Sequence, residues 1–337
     1  MTGNLKWGLL STARINRRII QPIRQAARSE LVAVASRTEA RAAAYAAEWD
    51  IPRVFGSYQA MLADPGIDAV YIPLPNSLHC QWAVNAARAG KHILCEKPLA
   101  LTVADVDTMV RAAGENGVVL LEAFMYRIHP QQLKLQALID DNLIGPVKLI
   151  RAGFSFTLRD QTNIRLKKEL GGGSLWDVGC YPVSFAQAVA GTEPVAAFGW
   201  QRTHPGGADL SFAGQLQFAG GLVAQISAAF DMPYRVGAEV IGDNGALVVP
   251  NPWLPDVEGK GSGLIHIAPD DTETPIPTDV KDPYLCEVEA LERAVLDGAP
   301  LPYTPAHSRG NVAAINALYR SAKTGTVVHL QPAAETP

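Results

Sequence analysis

A lysine, an aspartate and a tyrosine carry the most specific chemistry in this chain of 337 residues. Lys97 stands in "AGKHILCEKPLAL", just after a short apolar run and directly before Pro98. Asp177 and Tyr181 are four apart in "GGGSLWDVGCYPVSFAQ". Free lysine titrates at about 10.4 and free tyrosine at about 10, so neither is a base at neutral pH without help from its surroundings. An ammonium beside a phenol stabilises the phenolate, while a nearby carboxylate pushes the phenol back up. Groups of these types suit the exchange of a proton with a hydroxyl near neutral pH. The seven histidines are scattered, with no HExxH and no clustered cysteines, so no metal is expected to replace that base.

The elements that must position these groups follow from the pattern of apolar residues. Over roughly the first 120 residues, short runs at Leu5–Leu10, Leu31–Ser36, Ala69–Pro73, His92–Cys95 and Val118–Leu121 alternate with helical patterns. Two of those helical patterns stop near Gly90 and Gly117, where a left-handed cap favours glycine. Such alternation predicts a parallel sheet covered by helices on both faces. Lys97 then falls at the C-terminal end of a strand, where open α/β sheets bind ligands. From about residue 146 the texture changes: "VKLIRAGFSFTL", "DLSFAGQLQF", "LVAQISAAF" and "AEVIGDNGALVV" read as antiparallel strands with glycine-containing turns. Helical patterns interrupt them at roughly 130–142, 176–190, 283–297 and 306–324. The expected fold class is α/β, with a Rossmann dinucleotide-binding domain over 1–123. An α+β domain over 124–337 follows, built on a large, mostly antiparallel open sheet. A helix opening after Gly171–Gly173 puts Asp177 and Tyr181 on one face near its N-terminus, with Pro182 confined to the first turn. A site in the cleft between the domains is the resulting expectation. A sheet covered on one side leaves a face for subunit contact, so homo-oligomerisation is expected.

The first strand runs into "WGLLSTARIN", where a pyrophosphate would rest on amides at a helix N-terminus. Ser11, Ala13 and Asn16 occupy the places of the usual G-x-G-x-x-G glycines, and Thr12, Arg14 and Ile15 complete the turn. Serine and alanine allow close approach but resist positive φ. At the end of the second strand, an NAD site places an acidic residue on the ribose hydroxyls. This chain has Ser36 and Arg37 there, with Arg41 one helical turn on, a set suited to a 2′-phosphate. NADP is the expected cofactor, with NAD left open.

"AGKHILCEKPLAL", with "PLPNSLH" upstream and "GGGSLWDVGCY" downstream, resembles the Gfo/Idh/MocA oxidoreductase family, and the likeness extends to the closing "NVAAINALYRSAKTG". The resemblance implies a catalytic Lys97, a cis Lys97–Pro98 bond, and Leu74, Pro75, Asn76 and Glu96 along the cofactor. It implies that Asp177 and Tyr181 are the paired residues of the second domain, where many members have histidine at the second position. Tyrosine there, with "EAFMYRIHP" and "NIRL", is most similar to the dihydrodiol and D-xylose dehydrogenase branch, which is commonly NADP-linked. The resemblance also implies a homodimer or homotetramer through the open sheet of the second domain. His79 is either a substrate or cofactor contact or a satisfied structural histidine. Arg127, Asn163, Arg165, Trp176, Trp253 and Tyr284 are candidates for lining a sugar site. Whether Lys97 or Tyr181 exchanges the proton stays open. The implied activity is hydride transfer between the nicotinamide and a C–OH or C=O of a sugar, cyclic polyol or trans-diol. The alternatives are a sugar–sugar oxidoreductase that keeps its nucleotide, and a non-catalytic dinucleotide-binding regulator.

Bulk properties agree with a folded enzyme. Hydrophobic residues make up 48% and charged residues 18%, which excludes a disordered chain. A net charge of −4 argues against a nucleic-acid partner. No apolar stretch approaches the roughly 18 residues of a membrane span. Four widely spaced cysteines without a CxxC pair suit reduced thiols, and no signal peptide is read, so a cytoplasmic location is expected.

Overall fold

The computed structural model describes residues 3–330 and divides the chain into two compact units. In the first, β1 (Leu5–Leu10), β2 (Ser29–Ala35), β3 (Arg53–Phe55), β4 (Ala69–Ile72), β5 (His92–Glu96) and β6 (Leu120–Ala123) form a parallel sheet. Their order is β3-β2-β1-β4-β5-β6. The intervening helices are α1 (Asn16–Gln25), α2 (Glu39–Trp49), α3 (Tyr58–Leu62), α4 (His79–Arg88) and α5 (Val103–Glu115). The strand order reverses beside β1. Right-handed crossovers therefore send α1 and α2 to one face of the sheet and α4 and α5 to the other. Burial on both faces explains the apolar runs, and every residue of β4 is buried. Thr38, Ser57 and Thr102 each cap a helix by accepting a backbone N–H. Gly90 and Gly117 follow α4 and α5 with φ of 71° and 64°, as the pattern predicts. The short β3 and α3 were not among the expected elements, because neither is long enough to set up a period.

The second unit holds α6 (Pro130–Asp140), β7 (Val147–Thr157), α7 (Cys180–Ala190), β8 (Ala196–Thr203), β9 (Asp209–Gln217), β10 (Val223–Ala229) and β11 (Asp231–Gly242). It continues with β12 (Gly245–Val249), β13 (Leu264–Ile267) and β14 (Glu273–Ile276). After α8 (Pro283–Asp297) come α9 (Pro305–Thr324) and β15 (Val328–His329). The nine strands run β14-β13-β12-β11-β7-β10-β9-β8-β15. The β7–β10 pair is parallel and the other pairs are antiparallel, which gives the mostly antiparallel sheet expected. Alternation is strict at its centre. Ile150, Ala152, Phe212, Leu216, Ala224, Ile226 and Val240 are buried, whereas Arg151, Gln215 and Gln225 between them are exposed.

From Tyr284 onward α8 belongs to the first unit, which comprises the chain through Met125 and Tyr284–Pro305. A single boundary at 123/124 therefore does not describe the division. The physical reason is a set of distant polar contacts. Ser29 Oγ donates to Glu292 at 2.8 Å and Arg28 pairs with both Glu292 and Asp297. The Tyr303 hydroxyl donates to the Glu122 carbonyl and accepts the Phe124 N–H.

Candidate active site

In the first unit the predicted cofactor residues gather at the C-terminal ends of β1, β2, β4 and β5. Ser11 directly follows β1 with φ of 151°, a conformation L-residues avoid at a cost of about 1–3 kcal/mol. The glycine-like backbone thus survives without the glycine. Asn16 Nδ2 donates to the Ser11 carbonyl at 2.8 Å, and the Ala13 N–H donates to Ser11 Oγ at 3.2 Å, so side chains lock the turn. Thr12, Ala13 and Ile15 are partly exposed and Arg14 fully so. The α1 helix begins without a side-chain cap and without an acidic residue in its first turn. Such an N-terminus favours an anion.

Ser36 is buried at the end of β2, and Arg37 and Arg41 beyond it are exposed. Arg41 Nε donates to Thr12 Oγ1 at 3.2 Å, which draws its guanidinium toward the turn after β1. Tyr58 is half-buried; burial raises its phenol, and Arg37 and Arg41 oppose the rise, so both cations act on one locality. Two arginines, no carboxylate at 36–38 and an uncapped helix start fit a dinucleotide carrying a 2′-phosphate.

At the end of β4, Leu74 and Pro75 lead into a single 3-10 turn, Asn76–Leu78. At the end of β5 the Lys97–Pro98 peptide is cis, as the resemblance implies. His79 is fully buried; Nδ1 lies 2.9 Å from the Pro98 carbonyl and Nε2 2.9 Å from the Leu74 carbonyl. His79 thus lies between the turns that follow β4 and β5, where a neutral imidazole donates to one of the two carbonyls. Burial lowers its pKa; the two carbonyls oppose that and the Lys97 charge adds to it.

Three groups near Lys97 were not among the sequence candidates. The Tyr71 hydroxyl donates to Glu96 Oε1 at 2.5 Å, and the Lys97 N–H donates to Glu96 Oε2 at 3.2 Å, so both Glu96 oxygens are engaged. Burial, then Glu96, holds the Tyr71 phenol well above its ordinary value. Glu122 is buried and accepts the Leu99 N–H at 2.7 Å. Glu287, on α8, is also completely buried and acts on the same phenol. A phenol inside the apolar run "AVYI" was the one available signal, since a buried Tyr O–H needs a partner. Tyr284, expected to line a sugar site with the second-domain candidates, is buried and belongs to this first unit.

In the second unit, Asp177 lies in a π turn, Leu175–Gly179, that runs directly into α7. The expected plain α-helix is therefore widened where Asp177 leaves it, a feature common at functional sites. Arg165 Nε donates to Asp177 Oδ2 at 2.6 Å. Asn163 sits beside this pair as a cap, accepting the Arg165 N–H at 3.1 Å. Tyr181, 6% exposed, is ringed by Tyr126, Phe154 and Trp253, with centroids at 5.8, 5.7 and 5.8 Å. Arg127 Nη1 donates to Ser184 Oγ at 3.4 Å, one turn beyond Tyr181 on α7.

Two of the aromatic candidates are buried against other rings. Trp253 is fully buried, and its Nε1 donates to the Gly153 carbonyl at 3.0 Å, so it is core that backs Tyr181. Trp176 is 8% exposed and packs on Tyr319 with centroids 5.7 Å apart. Large aromatics bury readily, and composition alone does not separate a pocket wall from the core behind it.

Comparison with known proteins agrees with both units. Residues 5–124 match a family model described as an oxidoreductase family with an NAD-binding Rossmann fold. Residues 132–248 match the C-terminal domain model of the same family. A D-xylose 1-dehydrogenase (NADP(+)) of Haloferax volcanii is 38% identical, over 97% of this chain and all of that protein. A trans-1,2-dihydrobenzene-1,2-diol dehydrogenase of Xenopus tropicalis is 33% identical, over 76% of this chain and 79% of that one. The solved aldose–aldose oxidoreductase of Caulobacter crescentus, complexed with glycerol, superposes with a TM-score of 0.89 at 27% identity. That match covers 97% of this chain and all of the other.

Proposed function

The chain belongs to the Gfo/Idh/MocA oxidoreductase family, and on that premise we propose that it is an NADP-dependent dehydrogenase of a sugar, cyclic polyol or trans-diol. The observation that carries the reading is Lys97 at the C-terminal end of β5, its backbone tied to Glu96 and Glu96 tied in turn to Tyr71. That lysine stands in the same sheet whose first turn and arginine pair suit a phosphorylated dinucleotide. The residues that would hold the nucleotide are Ser11 to Ile15, Ser36, Arg37, Arg41, Leu74, Pro75, Asn76, Glu96 and Lys97.

A bound nicotinamide supplies the two-electron hydride acceptor. As the substrate carbon gives up hydride, its hydroxyl must give up a proton, and Lys97 and Tyr181 are the groups of this chain suited to take it. Asp177, held by Arg165, supplies a fixed negative charge for the Tyr181 segment and an acceptor for a substrate hydroxyl. The aromatic ring set around Tyr181 packs its ring on three sides and so restrains its orientation. The exposed face of the sheet, which carries Trp200 at 64% exposure, supports a homo-oligomer. Free thiols at Cys80, Cys95, Cys180 and Cys286 support a cytoplasmic setting.

The test is a spectrophotometric screen of monosaccharides, inositols and trans-diols with NADP⁺ and NAD⁺. NADP⁺ with one of these classes is expected to give rising reduced-nicotinamide absorbance that Lys97→Ala abolishes. Undiminished turnover in that variant would remove lysine from the mechanism. The likeness to an aldose–aldose oxidoreductase favours one further reading, hydride exchange between two sugars on a retained nucleotide. Purified protein carrying stoichiometric nucleotide, with no turnover of added NADP⁺, would select it.

A further inference from the structure

Asp209, at the start of β9, is a buried carboxylate with no part in the reading above. It is 2% exposed, and both carboxylate oxygens accept hydrogen bonds. Ser174 Oγ donates to Oδ2 at 2.5 Å and the Leu175 N–H donates to the same oxygen at 2.9 Å. The Tyr319 hydroxyl, from α9, donates to Oδ1 at 2.5 Å. A carboxylate offers lone pairs to all three donors, so Asp209 is their shared acceptor.

The donors define what the carboxylate does. Leu175 opens the π turn, and its N–H is one that the turn itself leaves without an acceptor. No side chain of the segment caps that turn; the cap comes from β9, more than thirty residues along the chain. Gly173 shows how closely the parts fit. With φ of 134°, it would place a Cβ 2.1 Å from Asp209 Oδ1 and 2.7 Å from Tyr319 Oη. Only glycine at 173 lets the carboxylate and the phenol meet over the start of the turn. Tyr319 also packs against Trp176, the residue preceding Asp177.

We infer that Asp209 is a positioning residue for the reaction: it holds the π turn in register, and through it the directions in which Asp177 and Tyr181 leave the helix. This rests on the proposed function only in giving those two residues roles in proton exchange. Register matters because one residue of slip in a helix rotates a side chain by roughly 100°. If the turn relaxed to α geometry, Asp177 would swing relative to Tyr181 and leave its 2.6 Å contact with Arg165. The Cβ-free Gly173 and the cap at Leu175 oppose that relaxation.

Steady-state kinetics on Asp209→Asn, Tyr319→Phe, Tyr181→Phe and the Asp209→Asn/Tyr181→Phe double variant test it, with rates normalised to folded protein by circular dichroism. Asparagine has one acceptor oxygen where the carboxylate has two, so at least one of the three donors loses its acceptor, and kcat is expected to fall at least about tenfold with the KM for NADP⁺ unchanged. In the Tyr181→Phe background the same change should cost little more, since residues acting as one unit are not additive. Tyr319→Phe keeps volume and charge, and is expected to lower kcat several-fold with the same KM signature. If Asp209→Asn does not fold, Tyr319→Phe decides. Wild-type kcat per folded molecule in both Asp209→Asn and Tyr319→Phe, or a full multiplicative loss in the double variant, overturns the inference. Wild-type activity in Tyr181→Phe overturns the underlying reading instead.

Discussion

Arg165 Nε and Asp177 Oδ2 lie 2.6 Å apart, joining a 3-10 turn to the π turn before α7. The glycines between them make this contact. Gly173 donates its N–H to the Arg165 carbonyl at 2.9 Å, and a Cβ on Gly172 would strike that carbonyl oxygen at 2.5 Å. The chain therefore folds back so that the arginine reaches the carboxylate twelve residues later. Arg165 is 44% exposed, so the pair adds at most about 1 kcal/mol to stability. Its effect on activity should be larger, because the carboxylate it orients is proposed to act on substrate. Arg165→Met is expected to lower kcat/KM for substrate about tenfold, equivalent to about 1.4 kcal/mol. The urea midpoint and the KM for NADP⁺ should stay close to wild type, and Arg165→Lys should recover part of the loss. An unchanged kcat/KM would show that Asp177 needs no cation.

Tyr71 offers a prediction about stability. Its phenol is wholly buried and donates to Glu96 at 2.5 Å. Tyr71→Phe keeps the ring but leaves a carboxylate oxygen short of a donor, a loss of about 1–3 kcal/mol. Urea denaturation at pH 7 measures this effect. A midpoint equal to wild type would mean that Glu96 replaces the bond from elsewhere.

Four histidines, His79, His92, His129 and His307, titrate below the free value chiefly because of burial and make stability depend on pH with a definite sign. Burial is the main cause at both His79 and His307; at His307 the Arg127 guanidinium adds to it and brings the value down to about 4. Free imidazole titrates at about 6.5, so between about 6.5 and about 4 the unfolded chain binds a proton at residue 307 that the folded chain does not. Stability is then complete above the upper limit, falls as pH drops through the window, and levels off below the lower one. His79 bends the curve in the same direction. The melting temperature should fall between pH 7 and pH 4, and His307→Gln should flatten part of that fall. An identical slope in the variant would exclude His307 as a source.

These features differ in how far they could be read from residues alone. The alternating strands and helices, the caps at Gly90 and Gly117, and Lys97 at a strand end rest on local period and turn chemistry, and each appears where expected. The positive φ of Ser11 could not be read, because a bond from Asn16 and the packing of α1 hold it against its intrinsic preference. The π turn was equally hidden, since its cap is Asp209, distant in sequence. Trp253 and His79 illustrate one limit: side-chain type announces a polar handle but not whether backbone carbonyls will absorb it. The return of α8 to the first unit depends on partners such as Glu292 and Ser29, separated by 263 residues. No periodicity carries that information.

The arginines after β2 bear on which nucleotide is used. Arg37 is exposed at the strand end, Arg41 reaches across to Thr12, and both act on the Tyr58 phenol. A guanidinium there can pair with a 2′-phosphate, whereas a carboxylate would repel it and instead accept from a free ribose hydroxyl. Charge-assisted bonds of this type are worth about 1.5–3 kcal/mol, or roughly ten- to a hundredfold in affinity. Arg37→Glu should therefore raise the KM for NADP⁺ by that factor while leaving the KM for NAD⁺ level or lower. Arg41→Ala should weaken both nucleotides, because it also frees Thr12 in the turn proposed to hold the pyrophosphate. Kinetics with both cofactors at a fixed saturating substrate separates the two effects. If Arg37→Glu shifted both constants equally, the charge would be acting on the nucleotide as a whole, and the 2′-phosphate would lose its assigned partner.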